Sequence, residues 1–457
     1  MKKRIIAFVT VVILALTAIL AGCGGGGDAG GSNGTTDSPD ANGGDTGEKT
    51  KIVIGGVRSQ SGVFAIFDQT AMGPLYRMWA DEINKDGGLY VKELDKKLPV
   101  ELLIYDDKSD LQTMTGLYEK LCTEDKVDLL LPPVSTAFLF AAAQVAQRYG
   151  YLLIAGEGGA KELEKSIEAC PNFFSCLNFA ATQVPALVEI FKEQGIKSAY
   201  IVYIEDQHGT EYFQAAQDAF SAAGIELLGE KAVPADPSTI DFGAIINDAK
   251  ASKAQAFLTF TYPDQGIPLA ATSISLDYNP EVYLMGSGGS FDFIKAALAG
   301  ESGIAPDDMV EGMMAWGAWN EKSSPEAKAF SEKFKAYYGP DGLNLLNNPD
   351  AGDKIVYQDW WGHTCYQAVV DIMQQAVENA GALNADGIID NTKLVDYVKD
   401  NHFQTVLGDT WFENNMLAAD CYLGNVAQWQ KGIFEVIDVG DRRTAEPIVP
   451  KPAWPKK

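Results

Sequence analysis

The sequence predicts an α/β protein of two lobes, each a mostly parallel sheet flanked by helices. Two observations carry this reading: short apolar runs alternate with amphipathic helical stretches from Lys51 onward, and the whole rhythm starts a second time after CPNFFSCLNFA. A chain of 457 residues is too long for one growing core, so two consecutive modules read better as two lobes with a cleft between them.

In the first module KIVIGGV is a strand, and AMGPLYRMWADEIN places Leu75, Met78, Trp79 and Ile83 on one helical face. VELLIYDD is the next strand, LQTMTGLYEKLCTE a helix, VDLLLPPV a strand, AFLFAAAQVAQRYG a helix and YLLIAG a strand. The second module repeats the pattern with ATQVPALVEIFKEQG, SAYIVYIED, EYFQAAQDAFSAAG, IELLGEKAV, DFGAIINDAKAS, AQAFLTF, QGIPLAATSISL and EVYLMG. Beyond it, SPEAKAFSEKFKAYYG and DWWGHTCYQAVVDIMQQAVENAG are helices closed by Gly. LVDYVKDN is a shorter helix, and TWFENNMLAADCYLGNVAQWQKGIFEVIDV reads as strands and turns.

Acidic residues outnumber basic ones 62 to 36, and 46% of residues are apolar. A surface this negative repels phosphate backbones, so no nucleic-acid partner is expected. The first 22 residues differ from the rest. MKKR is a basic start, IIAFVTVVILALTAI an apolar stretch, and LAGC a small-residue cleavage site ending at Cys23. Residues 24 to 49 hold ten Gly and no aromatic or aliphatic β-branched residue, which suits a flexible tether. The segment from Asp441, rich in Pro and Lys, is expected along the surface, pinned by Trp454.

Five cysteines lie beyond Cys23. Cys170 and Cys176 close a short loop and form the favoured disulfide pair, against the alternative that both are reduced core residues. His208, His363 and His402 are scattered, so no metal site is expected. GEGGAKELE lacks the spacing of a phosphate loop, and GSGGSF fails the dinucleotide fingerprint at Phe291, so no nucleotide cofactor is expected either. No nucleophile elbow or zinc-protease helix occurs, and the adjacent acids Asp106–Asp107 and Glu205–Asp206 sit at strand ends and read as solvated caps, so the chain reads as no enzyme.

The more persuasive constellation is a recognition set on loops just past apolar strands, where an open α/β sheet presents its binding edge. In the first lobe the candidates are Ser61, Phe67, Ser135, Thr136, Glu157, Gly158 and Gly159; in the second they are Asp206 to Gly209, Tyr262, and Ser287 to Gly289. Hydroxyls and free amides there orient a polar solute, and aromatic rings supply apolar contact.

The ordered motifs SGxxA from Ser61, NKDGG, LLLPPVST, LLIAGEGG, EDQHGTEYFQ, LTFTYPDQG, EVYLMGSGG and GDTWFENN resemble the type I periplasmic solute-binding proteins of ABC transporters, the branched-chain amino acid binders among them. LAGC similarly resembles the bacterial lipoprotein signal. The resemblance implies two lobes joined by three crossovers, with no cofactor, no metal and no catalysis. It implies lobe 1 at 51–173 and 309–405, lobe 2 at 174–308 and 406–440, and a tail at 441–457. The signal peptide would be 1–22, and the lipidated Cys23 with its tether 23–50.

By the same resemblance, Ser135 and the loop through Gly159 would hold a ligand carboxylate, with Phe67 beside it. Thr261 or Tyr262 and the Gly288 loop would meet the ligand from lobe 2, and His208 would close over the cleft. Amino-acid binders of the family carry a Thr where this chain has Gly159, and an ammonium-holding Glu where it has Gly288. Glu157 would then replace that acid, or the ligand lacks an α-amine. The implied function is an extracytoplasmic, lipid-anchored monomer that delivers an amino-acid-like, carboxylate or amide solute to an ABC permease. The alternative is the ligand-binding component of a sensory receptor system.

Overall fold

The computed structural model describes residues 49–158, 168–317, 319–339 and 356–456. The expected signal segment, Cys23, nearly all of the tether, and Gly159 lie outside them. Among the described residues no helix is long and apolar enough to cross a membrane.

Fourteen strands form two seven-stranded sheets. The first holds β1 (Ile52–Arg58), β2 (Val100–Asp106), β3 (Leu129–Leu130), β4 (Leu153–Ala155) and β5 (Phe173–Ser175). The second holds β6 (Ser198–Ile204), β7 (Glu226–Val233), β8 (Ala256–Phe260), β9 (Val282–Met285) and β10 (Met314–Trp316). Late in the chain β11 (Phe412–Glu413) and β12 (Met416–Leu417) join the first sheet, and β13 (Val426–Gln430) and β14 (Ile433–Val436) the second. The spatial orders are β11-β12-β5-β4-β3-β1-β2 and β14-β13-β10-β9-β8-β6-β7. Both lobes therefore share the 2-1-3-4-5 winding, whose order reverses beside the first strand and opens a crevice at the carboxyl ends of the strands.

The helices that frame the cleft start from those ends. They are α1 (Gly73–Lys85), α2 (Thr136–Tyr149), α3 (Ala180–Gln194), α4 (Gln207–Ala223), α5 (Pro263–Ser275), α6 (Pro325–Tyr338) and α7 (His363–Asn379). A π-helical turn at Asp68–Met72 leads into α1. Fully buried strands such as AFLTF carry apolar residues on both faces because helices cover both sides. Gly150, Gly195 and Gly224 close α2, α3 and α4 in the left-handed conformation expected of a C-terminal glycine.

The lobe boundaries differ from expectation by about two to twelve residues. The first sheet keeps the chain through Ser175, so the expected first boundary at 173 moves to the segment after β5. The return expected at 309 comes after Trp316, because MAW is a parallel strand beside β9. The last crossover, expected after 405, follows Leu417. Asn414 and Asn415, both at positive φ, make a two-residue hairpin turn that folds FENNML onto the first sheet. The tail is fastened to the second lobe: Trp454 is buried, and its Nε1 donates to the Tyr278 carbonyl at 2.7 Å.

The favoured Cys170–Cys176 disulfide is corrected. Both are free thiols, and they belong to different apolar clusters. Strand β5 runs between them, and the rise from Phe173 to Cys176 alone is about 10 Å, beyond the reach of a disulfide. Unfolded without reductant, a chain that starts beyond Cys23 should present Cys122, Cys170, Cys176, Cys365 and Cys421 to a maleimide, five additions by mass. A chain that takes three would carry the disulfide after all.

Candidate ligand-binding cleft

Arg58, the last residue of β1, is buried to 2% exposure and organises the first-lobe wall. Its Nε donates to Asp68 Oδ1 at 2.7 Å, and its Nη1 to Glu157 Oε1 at 2.7 Å and the Pro132 carbonyl at 2.6 Å. The Tyr76 hydroxyl also donates to Glu157 Oε1, at 3.1 Å, and the guanidinium lies over the Tyr76 ring. One cation thus ties the π-helical turn, the loop before α2 and the loop after β4. Burial works against the Arg58 charge, but Glu157 and Asp68 outweigh it and hold the guanidinium ionised. At Glu157 burial wins over Arg58 and raises the carboxyl above its usual range, with the like charge of Asp68 adding to the rise. Glu157 Oε2 is buried without a hydrogen-bond partner.

Glu157 belongs to the wall of a nearly shut cleft between the lobes. Both lobes line it. Of the residues singled out from sequence, Phe67, Ser135, Thr136, Glu157, Gly158, His208, Tyr262, Ser287 and Gly288 are in the wall. Ser135 precedes α2 at φ +80°, an unusual conformation for a residue with a side chain, and its Oγ is buried and unpartnered. Gly158 has φ +71°, and a Cβ there would meet the Thr136 nitrogen at 3.0 Å. Absence of a side chain lets this loop lie against the start of α2.

The second-lobe wall is built on paired rings. His208, in the first turn of α4, stacks on Tyr262 with centroids 5.3 Å apart, and its Nε2 is 3.0 Å from Ser287 Oγ. Burial lowers the His208 pKa, with Asp206 acting against it, so the ring stands neutral at pH 7. Asp206 caps α4 through the Gly209 nitrogen and also hydrogen-bonds Tyr262, whose own pKa burial pushes up. Phe64 and Phe67 of the first lobe meet Tyr262 edge-on at 6.1 and 6.0 Å, and Phe67 meets Phe291 at 6.0 Å. These contacts close the cleft.

Six described sequence candidates lie outside the wall: Ser61, Asp206, Gln207, Gly209, Thr261 and Gly289. Ser61 is exposed and donates to Asp106 Oδ2 at 2.7 Å, bracing the tip of the first lobe. Thr261 is fully buried behind the cleft, where its Oγ1 has no hydrogen-bond partner. The acid expected in amino-acid binders at residue 288 has a physical obstacle. Gly288 sits at φ +91°, and a Cβ would come within 2.4 Å of Pro263 Cγ. Any side chain at that position would displace the start of α5.

Several wall residues escaped the sequence reading, among them Phe64, Phe291, Asp359, Trp361 and Tyr366. Asp359 is 1% exposed and accepts from Ser290 Oγ and the Trp361 nitrogen, both at 2.9 Å. Burial raises its pKa. Trp361 Nε1 donates to Asn178 Oδ1 at 2.7 Å, and Asn178 Nδ2 donates to the Gly424 carbonyl at 3.0 Å, so one network joins the first and third crossover segments to the loop before α7. The adjacent WW of DWWGH was the available signal, though its reading as a helix start hid the loop. Among the described residues no group of three or more His, Cys, Asp and Glu is placed to hold a metal ion.

A sequence profile of the family described as periplasmic binding protein matches residues 51–432. Leucine-binding protein LivK of Thermotoga maritima superposes with a TM-score of 0.65 at 16% identity, over 85% of this chain and 98% of that one. LivJ of Streptococcus pneumoniae, solved with isoleucine, gives 0.65 at 16% identity over 88% and 100%. A solute-binding protein of Rhodopseudomonas palustris BisB5, solved with 3,4-dihydroxybenzoic acid, gives 0.63 at 16% over 89% and 98%. At these identities the likeness is one of fold. A stretch of 130 residues is 25% identical to taste receptor type 1 member 3 of Felis catus, covering 28% of this chain and 15% of the receptor.

Removing the guanidinium should be costly, because two buried carboxylates would lose their cation. Arg58→Met is expected to lower unfolding free energy in urea by about 3–5 kcal/mol, and adding Glu157→Gln should restore part of it. A loss below about 1 kcal/mol would remove the cluster from its organising position.

Proposed function

The chain belongs to the periplasmic binding protein family, and from that premise we propose that it captures a small amino-acid-like, carboxylate or amide solute between its lobes for delivery to an ABC permease. The family binds solutes and does not transform them, and its work is extracytoplasmic. The observation that carries the reading is the closed cleft, walled from both lobes by strand-end loops, with unpartnered polar atoms at Ser135 and Glu157. Those atoms are desolvated without compensation, a state that a hydrogen-bonding solute relieves. The isoleucine and 3,4-dihydroxybenzoic acid held by two structural neighbours set the scale of solute the fold accepts.

Residues Phe67, Ser135, Thr136, Glu157, Gly158, His208, Tyr262, Ser287 and Gly288 form the contact set in this proposal. Rigid lobes turning about the Asn178–Trp361–Gly424 network would open and shut it. Basic MKKR, the apolar run and LAGC support export with a lipid on Cys23, which would hold a monomeric binder near its membrane partner.

Native mass spectrometry of the protein as purified, then after unfolding and refolding, tests this directly. A released solute of up to a few hundred daltons, returning when added back, is expected. A refolded protein that retains its fold and takes up none of a panel of amino acids, amides and organic acids would contradict delivery of a solute. Protein taken from membranes should begin at Cys23 and carry a diacylglyceryl mass.

A further inference from the structure

We infer that the flank of the first lobe carries a second binding site, separate from the interlobe cleft, for a small uncharged molecule with an amide or ketone oxygen on a branched apolar body. Between α1 and the edge strand β2 lies a groove of about 510 Å³, within the size range of small-molecule pockets, whereas the cleft is nearly shut. Its floor is apolar, made by Ala80 of α1, by Val100, Leu102 and Ile104 of β2, and by Leu131. Leu102 and Ile104 are only half-buried, and β2 is the last strand of its sheet. Asn84 closes one end: its Nδ2 donates to the Val100 carbonyl at 2.8 Å, and its Oδ1 accepts from the Val100 nitrogen at 2.7 Å. At the other end the Gln69 amide donates to the Gln60 carbonyl.

The deep wall of the groove holds Arg58, Asp68 and Tyr76, all buried. Arg58 borders this groove and not the cleft. Its Nη1 points to the Pro132 carbonyl and Glu157, neither of which lines the groove, while its Nε donates to Asp68, which does. In a planar guanidinium the Nε–H and one Nη2–H run parallel along one edge, so Nη2 is turned to the Asp68 side, the side of the groove. Of the three nitrogens Nη2 alone has no hydrogen-bond partner. A buried donor left over in this way favours an acceptor that enters the groove. Charge decides what kind of acceptor. Arg58 already faces two carboxylates, Glu157 and Asp68, so an anion beside Asp68 would meet a like charge with no cation left to offset it, and a cation would meet the guanidinium. Arg77 and Asp81, four residues apart on α1, add one charge of each sign to the rim and leave this balance unchanged. A neutral oxygen on Nη2, with its apolar body over Leu102 and Ile104, satisfies both the donor and the floor.

Crystals of the protein as purified, soaked in isovaleramide, test the site, because the density tells the groove from the cleft. The amide is expected between α1 and β2 with its oxygen within hydrogen-bond distance of Arg58 Nη2. In solution, isothermal titration should show isovaleramide binding at least tenfold more tightly than its charged counterparts isovalerate and isopentylammonium. Leu102→Arg lays a long cationic side chain along the groove floor, away from the cleft wall. It should cost amide binding at least tenfold while the protein keeps the solute it was purified with. Should that variant not fold, the soak of the unaltered protein still decides. A groove that holds only water after the soak, an amide found only in the cleft, or isovalerate bound as tightly as the amide overturns this inference, and each leaves the solute-binding reading standing.

Discussion

Arg58 is the constraint on which the cleft depends. A buried guanidinium is tolerated only where its donors are met, and the partners it finds are Asp68, the Pro132 carbonyl and Glu157. Each belongs to a different strand-end loop of the first lobe, so meeting one cation's needs fixes all three loops at a single point. Aromatic residues Phe64 and Phe67 are placed by the first loop, Ser135 by the second and Glu157 by the third. A hydrophobic residue at 58 would pack the sheet equally well and leave these loops without a common anchor.

Rigidity around this anchor is set against freedom at the crossovers. Gly158 lets one wall close on α2, and Gly288 lets the other close on Pro263. The lobes themselves are joined by crossover segments, and Asn178 of the first bonds Gly424 of the third and Trp361 of the loop before α7. Apolar ring contacts at the mouth are of a kind that two lobes can make and break as units, since Phe64 and Phe67 come from one side and Tyr262 and Phe291 from the other.

Much of this was legible from the chain. The strand–helix alternation placed the strands of both sheets within one or two residues for β1, β6, β8 and β9, because buried parallel strands are uninterrupted apolar runs. Loops after those strands were candidate contacts for the same topological reason, which is why most of the expected set lines the cleft. What stayed hidden depends on distance in sequence. Arg58 and Glu157 are 99 positions apart, and nothing local marks them as partners. MAW and FENNML are too short for a period to register, so the lobe boundaries slid. Cys170 and Cys176 looked paired because a loop was assumed where β5 runs, and Thr261 looked exposed because a strand end does not reveal which way its last side chain points.

The most direct measurement is a crystal structure of the protein with the solute it carries when purified. A solute between the lobes, in contact with Ser135 and flanked by Phe67 and Tyr262, is the expected result. A cleft whose rings collapse on one another with the solute bound elsewhere would contradict the assignment of this cleft.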